Sequence, residues 1–264
     1  MIKLSKRLQG IANLVTAGSY IADVGTDHAY VPIFLCQSNR IVGAIAMDIN
    51  EGPLCIATGN VRNYGLEERI ELRLSDGFTA LNPGEVDLAI LAGMGGALMI
   101  KILRSHWQIT TNLRECVLQP QSELLKVRKF LFSKGFVIVK EDMIKEEDKY
   151  YPMMKVRPPG KDDKENNSID GKTNVPPNII VKDFADGRAD SLEKKWSKVE
   201  LTYGKLLLED KHPILKEFLE KELRVKTAIL EHLSVQEGVE SNKRKETIQD
   251  EIELVRKGMS YYEV

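Results

Sequence analysis

Short apolar runs recur through the first half of the chain, and amphipathic segments separate most of them. That alternation constrains the fold more than any single motif. Runs at 20–24, 41–47, 69–74, 86–91 and 115–118 read as strands. Segments at 28–37, 52–64, 97–107 and 122–134 carry helical spacing, with Ser122 as the expected N-cap of the last. Another helical stripe, 4–15, precedes the first run. Strands alternating with helices in this way need crossover connections, hence a parallel, doubly wound α/β sheet. Two more runs follow, 136–139 and 151–156, with no helix between them. Strands so joined form a hairpin, and the last should run antiparallel to its neighbours. The expectation is a seven-stranded mixed sheet.

Such an ending is a methyltransferase-like arrangement and not how a two-half NAD-binding domain finishes. This α/β domain is expected over residues 1–157. Residues 158–190 open on a polar stretch rich in Gly, Pro and Asn and read as a linker. From 191 to 264 the pattern turns wholly helical. Trp196, Val199, Tyr203, Leu206 and Leu207 form one stripe; Leu215, Phe218, Leu219 and Leu223 continue it; Ile248, Ile252, Val255 and Met259 form another. They predict a C-terminal α-helical, coiled-coil-like hairpin that adds a surface to the sheet domain and no core.

The chain has 264 residues and a net charge of −1. Residues 1–157 carry 19 Lys and Arg against 17 Asp and Glu, which leaves +2. Neither half is a bulk polycation, so any nucleic-acid binding must use a local patch. Lys3, Lys6 and Arg7, then Lys101 and Arg104, and residues 243–245 are the candidate patches. Cys36, Cys55 and Cys116 form no C-x-x-C pair, and His28, His106, His212 and His232 lack ligand spacing. No metal and no disulfide framework is expected. The basic N-terminus leads into no continuous apolar stretch, and no run approaches membrane-spanning length. A cytoplasmic protein with no membrane partner is the expectation.

In an open parallel sheet, ligands bind at the carboxyl ends of the strands. Asp23, Gly25 and Asp27 follow the first run, Asp48 the second, Asp76 and Gly77 the third, and the loop 93–96 the fourth. Gly25 lets the backbone turn and approach a ligand closely. Asp27 stands where a dinucleotide fingerprint would place a glycine, and its carboxylate opposes a pyrophosphate. An acidic turn suits a ligand with a cationic end, and S-adenosylmethionine has both a sulfonium and an ammonium group. Asp48 can accept both ribose hydroxyls of an adenosyl group, and Asp76 can receive the adenine amino group. The glycines at 93–96 let a flat base approach without obstruction.

The segments A-D-V-G-T-D-H-A-Y-V-P, A-M-D-I-N-E-G-P, S-D-G-F, A-G-M-G-G and L-Q-P-Q, after the opening L-S-K-R-L-Q, closely resemble the bacterial tRNA (adenine(22)-N1)-methyltransferase family. The resemblance covers residues 1–157 and reaches the tail at Y-G-K-L-L-L-E-D-K-H-P. It implies a Rossmann-like class I methyltransferase domain with S-adenosylmethionine as methyl donor, N1 of an adenine in the D-arm region of tRNA as acceptor, and a helical domain that helps hold the tRNA. Carried onto this chain, it places Gly25, Asp27 and His28 in the first cofactor loop, with Asp23 at its base. Asp48 and Ile49 fall at the ribose, Asp76 and Gly77 at the adenine, and Ala92, Gly93 and Met94 beside the methyl group. From position, Tyr30 or Met94 would pack against a flipped base. Asp27 or His28 would contact its amino group or offset the charge that develops on it. Two other readings stay open: a methyltransferase for a small molecule or protein whose tail dimerises, and a non-catalytic adaptor for RNA or another partner. A monomer is expected, with a dimer left open.

Overall fold

The runs become strands of a seven-stranded sheet; burial on both faces explains the continuous apolar ones, while the alternating run at 69–74 is a half-exposed edge strand. The structure is a computed structural model that describes residues 1–160, 196–234 and 239–263. The strands are β1 (Tyr20–Val24), β2 (Gly43–Asp48), β3 (Ile70–Leu74), β4 (Leu88–Met94), β5 (Glu115–Pro120), β6 (Val137–Glu146) and β7 (Lys149–Arg157). Their order is β3-β2-β1-β4-β5-β7-β6. Successive strand residues point to opposite faces. Ala22, Ile45, Met47, Ala89 and Leu91 therefore join one apolar cluster, while Ile21, Ala44, Ala46, Leu88 and Ile90 join the other. The helices α1 (Lys6–Leu14), α2 (Tyr30–Gln37), α3 (Glu51–Asn63), α4 (Gly96–Ser105), α5 (Trp107–Asn112) and α6 (Leu124–Ser133) cover the two faces.

β1 to β5 pair in parallel, and β7 enters antiparallel between β5 and β6. The final hairpin is longer than its apolar runs suggest. It reverses at Glu147 and Asp148, both at positive φ (49° and 59°), the backbone of a primed turn. Three local expectations are corrected. β4 runs on to Met94, with an irregularity between Ala92 and Met94, so part of the expected loop is strand. The helix expected at 97–107 stops at Ser105; His106 leaves the helical conformation and α5 starts afresh. Ser122 is not the N-cap of α6: Glu123, at φ 57°, holds that place, and the Ser122 hydroxyl accepts the Gly96 N–H instead.

The tail continues as α7 (Lys198–Tyr203), α8 (Lys205–Glu209), α9 (Pro213–Ser234) and α10 (Val239–Met259). Ser197 and Glu200 form a capping box that starts α7. Leu219 on α9 faces Gly258 on α10, and Lys226 pairs with Glu251 at 2.5 Å. Moving forward on one helix moves backward on the other, so the two are antiparallel. The expectation that the tail adds only a surface is corrected. Val199, Tyr203, Leu207, Leu215, Leu219 and Val255 bury themselves around Met143 of β6 in a third cluster. Beside it, Arg128 of α6 and Glu141 of β6 form a wholly buried ion pair at 2.8 Å. Arg128 also donates to the carbonyls of Leu201 (3.0 Å) and Thr202 (2.9 Å), and Glu141 accepts the Leu206 N–H (3.1 Å). Most of the expected linker, and residues 191–195 of the expected hairpin, lie outside the described residues. Among the described residues no helix is long and apolar enough to cross a membrane, and no group of side chains is set to hold a metal.

Candidate active site

The turn after β1 is built by hydrogen bonds to its neighbour. The N–H groups of Gly25 and Thr26 both donate to the Met47 carbonyl at 2.9 Å, which ties the turn to β2. Gly25 sits at φ 73°, which favours glycine. Asp27 and Ala29 also adopt positive φ (55° and 59°), so the chain doubles back and enters α2 at Tyr30. The Asn60 side chain, from α3, donates to the His28 carbonyl at 3.0 Å and fixes the far end of the turn.

Asp23 lies beneath this turn, 6% exposed, and accepts the Thr26 hydroxyl at 2.7 Å. Burial pushes its carboxyl up to about 6; the Thr26 hydrogen bond opposes that rise and the Asp48 charge adds to it. Asp48 ends β2 nearly buried. One oxygen accepts the Asp27 N–H at 3.3 Å, the other the Asn50 N–H at 2.9 Å. Each keeps acceptor capacity for a further donor. The Asp27 side chain is exposed, with the His28 Nε2 3.6 Å from its carboxylate. The His28 and Tyr30 rings lie 5.2 Å apart. His28 Nδ1 is buried with no hydrogen-bond partner among the described residues. Ile49, next to Asp48, is 59% exposed.

The loop after β4 meets this turn. A Cβ at Gly25 would lie 3.7 Å from the Met94 methyl. Gly93, at φ 77°, donates its N–H to Gln119 Oε1 at 3.2 Å. The same oxygen accepts Arg7 Nη1 at 3.2 Å, and the guanidinium carbon stands 5.6 Å from the Tyr151 ring centre. Gln119 is fully buried at the end of β5.

The structure thus brings Asp23, Gly25, Asp27, His28, Tyr30, Asp48 and Met94 into one constellation, and Ala92 and Gly93 extend it along β4. Asp76 is not tied into it. Its carbonyl accepts both the N–H and the hydroxyl of Thr79, and its carboxylate has no partner among the described residues. Gly77 answers to packing: a Cβ there would press on Ile102 of α4 at 3.0 Å. Lys3, Lys6, Lys101 and Arg104 are exposed, as are Lys243 and Arg244, while Lys245 is half-buried. Gln119 is the site residue that reasoning from residue types missed. A glutamine ending a buried apolar run was the available signal.

The residues fit an adenosyl group bearing positive charge. Asp48 retains acceptors suited to a diol, Ile49 offers an open apolar face, and Asp27 and Asp48 supply negative charge. The buried Nδ1 of His28 still needs a donor or acceptor.

A family model described as "Methyltransferase domain" matches residues 4–154. The tRNA (adenine(22)-N(1))-methyltransferase of Bacillus subtilis (strain 168) is 35% identical over 153 residues, covering 58% of this chain and 64% of that protein. The match therefore spans a little under two thirds of that relative. The crystal structure of the B. subtilis m1A22 tRNA methyltransferase TrmK superposes with a TM-score of 0.76 at 26% identity, covering 98% of this chain and 100% of the other. That of M. capricolum TrmK, in complex with the cofactor product S-adenosyl-homocysteine, gives 0.72 at 26% identity and covers 98% of both chains.

Proposed function

The chain belongs to the methyltransferase domain family, and from that membership we propose that it transfers a methyl group from S-adenosylmethionine to N1 of adenine 22 in tRNA. The observation that carries this reading is the meeting of the Gly25 turn with Met94 beside an Asp48 that retains acceptors. Similarity over nearly the whole chain to a TrmK structure holding the cofactor product supports it.

When bound, S-adenosylmethionine supplies an electrophilic methyl on a sulfonium. Asp48 holds the ribose hydroxyls, Ile49 packs on the adenosyl face, and Asp76 and Gly77 border the adenine. Gly25 lets the backbone approach, and Asp23 faces the cationic end through the turn. Ala92, Gly93 and Met94 border the reacting centre. Adenine N1 attacks with an in-plane lone pair and carries no proton, so no strong general base is needed; alignment supplies much of the rate. The base must leave its pair first. Tyr30 and Met94 pack against the extruded ring, and Asp27 and His28 contact its amino group or offset the charge that develops. Lys3, Lys6, Arg7, Lys101 and Arg104 attract the RNA backbone, and the helical tail holds the tRNA body. The sheet domain, residues 1–157, carries the chemistry in a cytoplasmic monomer.

Incubation with labelled S-adenosylmethionine and unmodified tRNA should yield 1-methyladenosine, abolished when adenine 22 is replaced by guanine. Asp27→Asn and His28→Ala should each slow transfer at least tenfold while S-adenosylhomocysteine still binds. Cofactor binding with no label in RNA would overturn the acceptor assignment.

A further inference from the structure

Arg7 is a guanidinium beside the Gly93 loop that has no counter-charge among the described residues. It leaves the first turn of α1 half-buried. Its only hydrogen bond among the described residues goes to the neutral amide oxygen of Gln119 at 3.2 Å. Its one other contact of note is the Tyr151 ring. No carboxylate pairs with it among the described residues, although Asp23, Asp27 and Asp48 stand on the same rim. A Cβ on Gly93 would come within 3.4 Å of Arg7 Nη1, so the cation lies directly against the loop that borders the methyl group.

An arginine in that state is pre-organised for an anion. Its planar fork is held by one neutral acceptor and one aromatic face, which leaves most of its donors uncommitted. Partial burial without an opposite charge carries a desolvation cost that an arriving anion offsets. In a nucleotide extruded toward Met94, the group closest to the base and sugar that bears charge is its phosphodiester. We propose that Arg7 binds the backbone phosphate flanking the target adenosine. Gln119 and Tyr151 act as positioning residues that hold the guanidinium beside Gly93. The inference rests on the tRNA reading above and deepens it, assigning one subsite of the acceptor strand.

The test uses the full chain and unmodified tRNA. Arg7→Ala should leave S-adenosylhomocysteine affinity within about twofold, by calorimetry, while the KM for tRNA rises roughly tenfold. The slope of log Kd for tRNA against log salt should become shallower by about one unit, the signature of a lost phosphate contact. Arg7→Lys should keep the slope and recover part of the affinity. If Arg7→Ala fails to fold by thermal melting, Arg7→Gln gives the same readings, since it keeps part of the stem and a polar end without the charge. An unchanged KM and slope would overturn the proposal. So would a fall in S-adenosylhomocysteine affinity that parallels the activity, because Arg7 would then serve the cofactor carboxylate or prop the loop. If wild-type protein transfers no methyl to tRNA, both readings fall; if it does and the variants match it, only this one falls.

Discussion

Two clusters of charge among the described residues, the clasp and the rim, are built oppositely. At the clasp between α6, β6 and α7, Arg128 and Glu141 are wholly buried, and their partners are each other and the backbone of the tail. At the rim, Asp27 is exposed, Asp48 keeps free lone pairs, and Arg7 has no counter-charge among the described residues. A satisfied network fixes geometry. An unsatisfied one has capacity left for a ligand. The first kind holds the tail to the sheet; the second is where chemistry is to be sought.

The largest effect should come from breaking the clasp. Arg128→Met strands a buried carboxylate and two carbonyls, and should cost about 3–5 kcal/mol in chemical denaturation. The double variant with Glu141→Leu should be less damaged than the single one.

Next comes Asp23, where the rim borrows the character of the clasp. Its folded pKa stands near 6, against 3.8 when exposed. Below about pH 4 it is protonated in both states and costs nothing. As pH rises from about 4 to about 6, the unfolded chain releases a proton that the native state keeps, so native stability falls. Relative to Asp23→Asn, the wild type should lose on the order of 3 kcal/mol across that window. Equal pH dependence in the two proteins would show that Asp23 is ionised without cost.

Asp48→Asn should sharpen the comparison most gently. Folding stability should shift by less than about 1 kcal/mol, while S-adenosylhomocysteine affinity falls about ten- to hundredfold, as charged hydrogen bonds to the ligand are lost. A large loss of stability would move Asp48 into the class of the clasp.

The sheet was legible because its runs are buried on both faces, which writes β2 as the continuous stretch Gly43–Asp48 with no exposed residue. Asp23 and Asp48 were legible for the same reason: each stands at the end of an apolar run. The clasp was not. Arg128 sits on the buried stripe of α6 between Val127 and Leu131, where an arginine reads as a solvated residue. Glu141 faces inward because the register slips between Ile138 and Lys140, and a slip breaks the two-residue period that would have marked it. α5 was hidden because only the backbone of His106 separates it from α4. Arg7 and Gln119 are far apart in sequence, and only the docking of α1 brings them together.

That docking has a consequence for how the protein is made. α1 lies on the last hairpin: a Cβ at Gly10 would meet Ile144 at 2.8 Å and Met153 at 3.1 Å, and Lys155 bonds Thr16. β7 is also the strand that covers β5. On a ribosome the chain emerges from its N-terminus, so α1 and the open edge of β5 must wait until Arg157 has been synthesised. Gly93 and Arg7 meet at Gln119 only when the last hairpin is in place to seat α1.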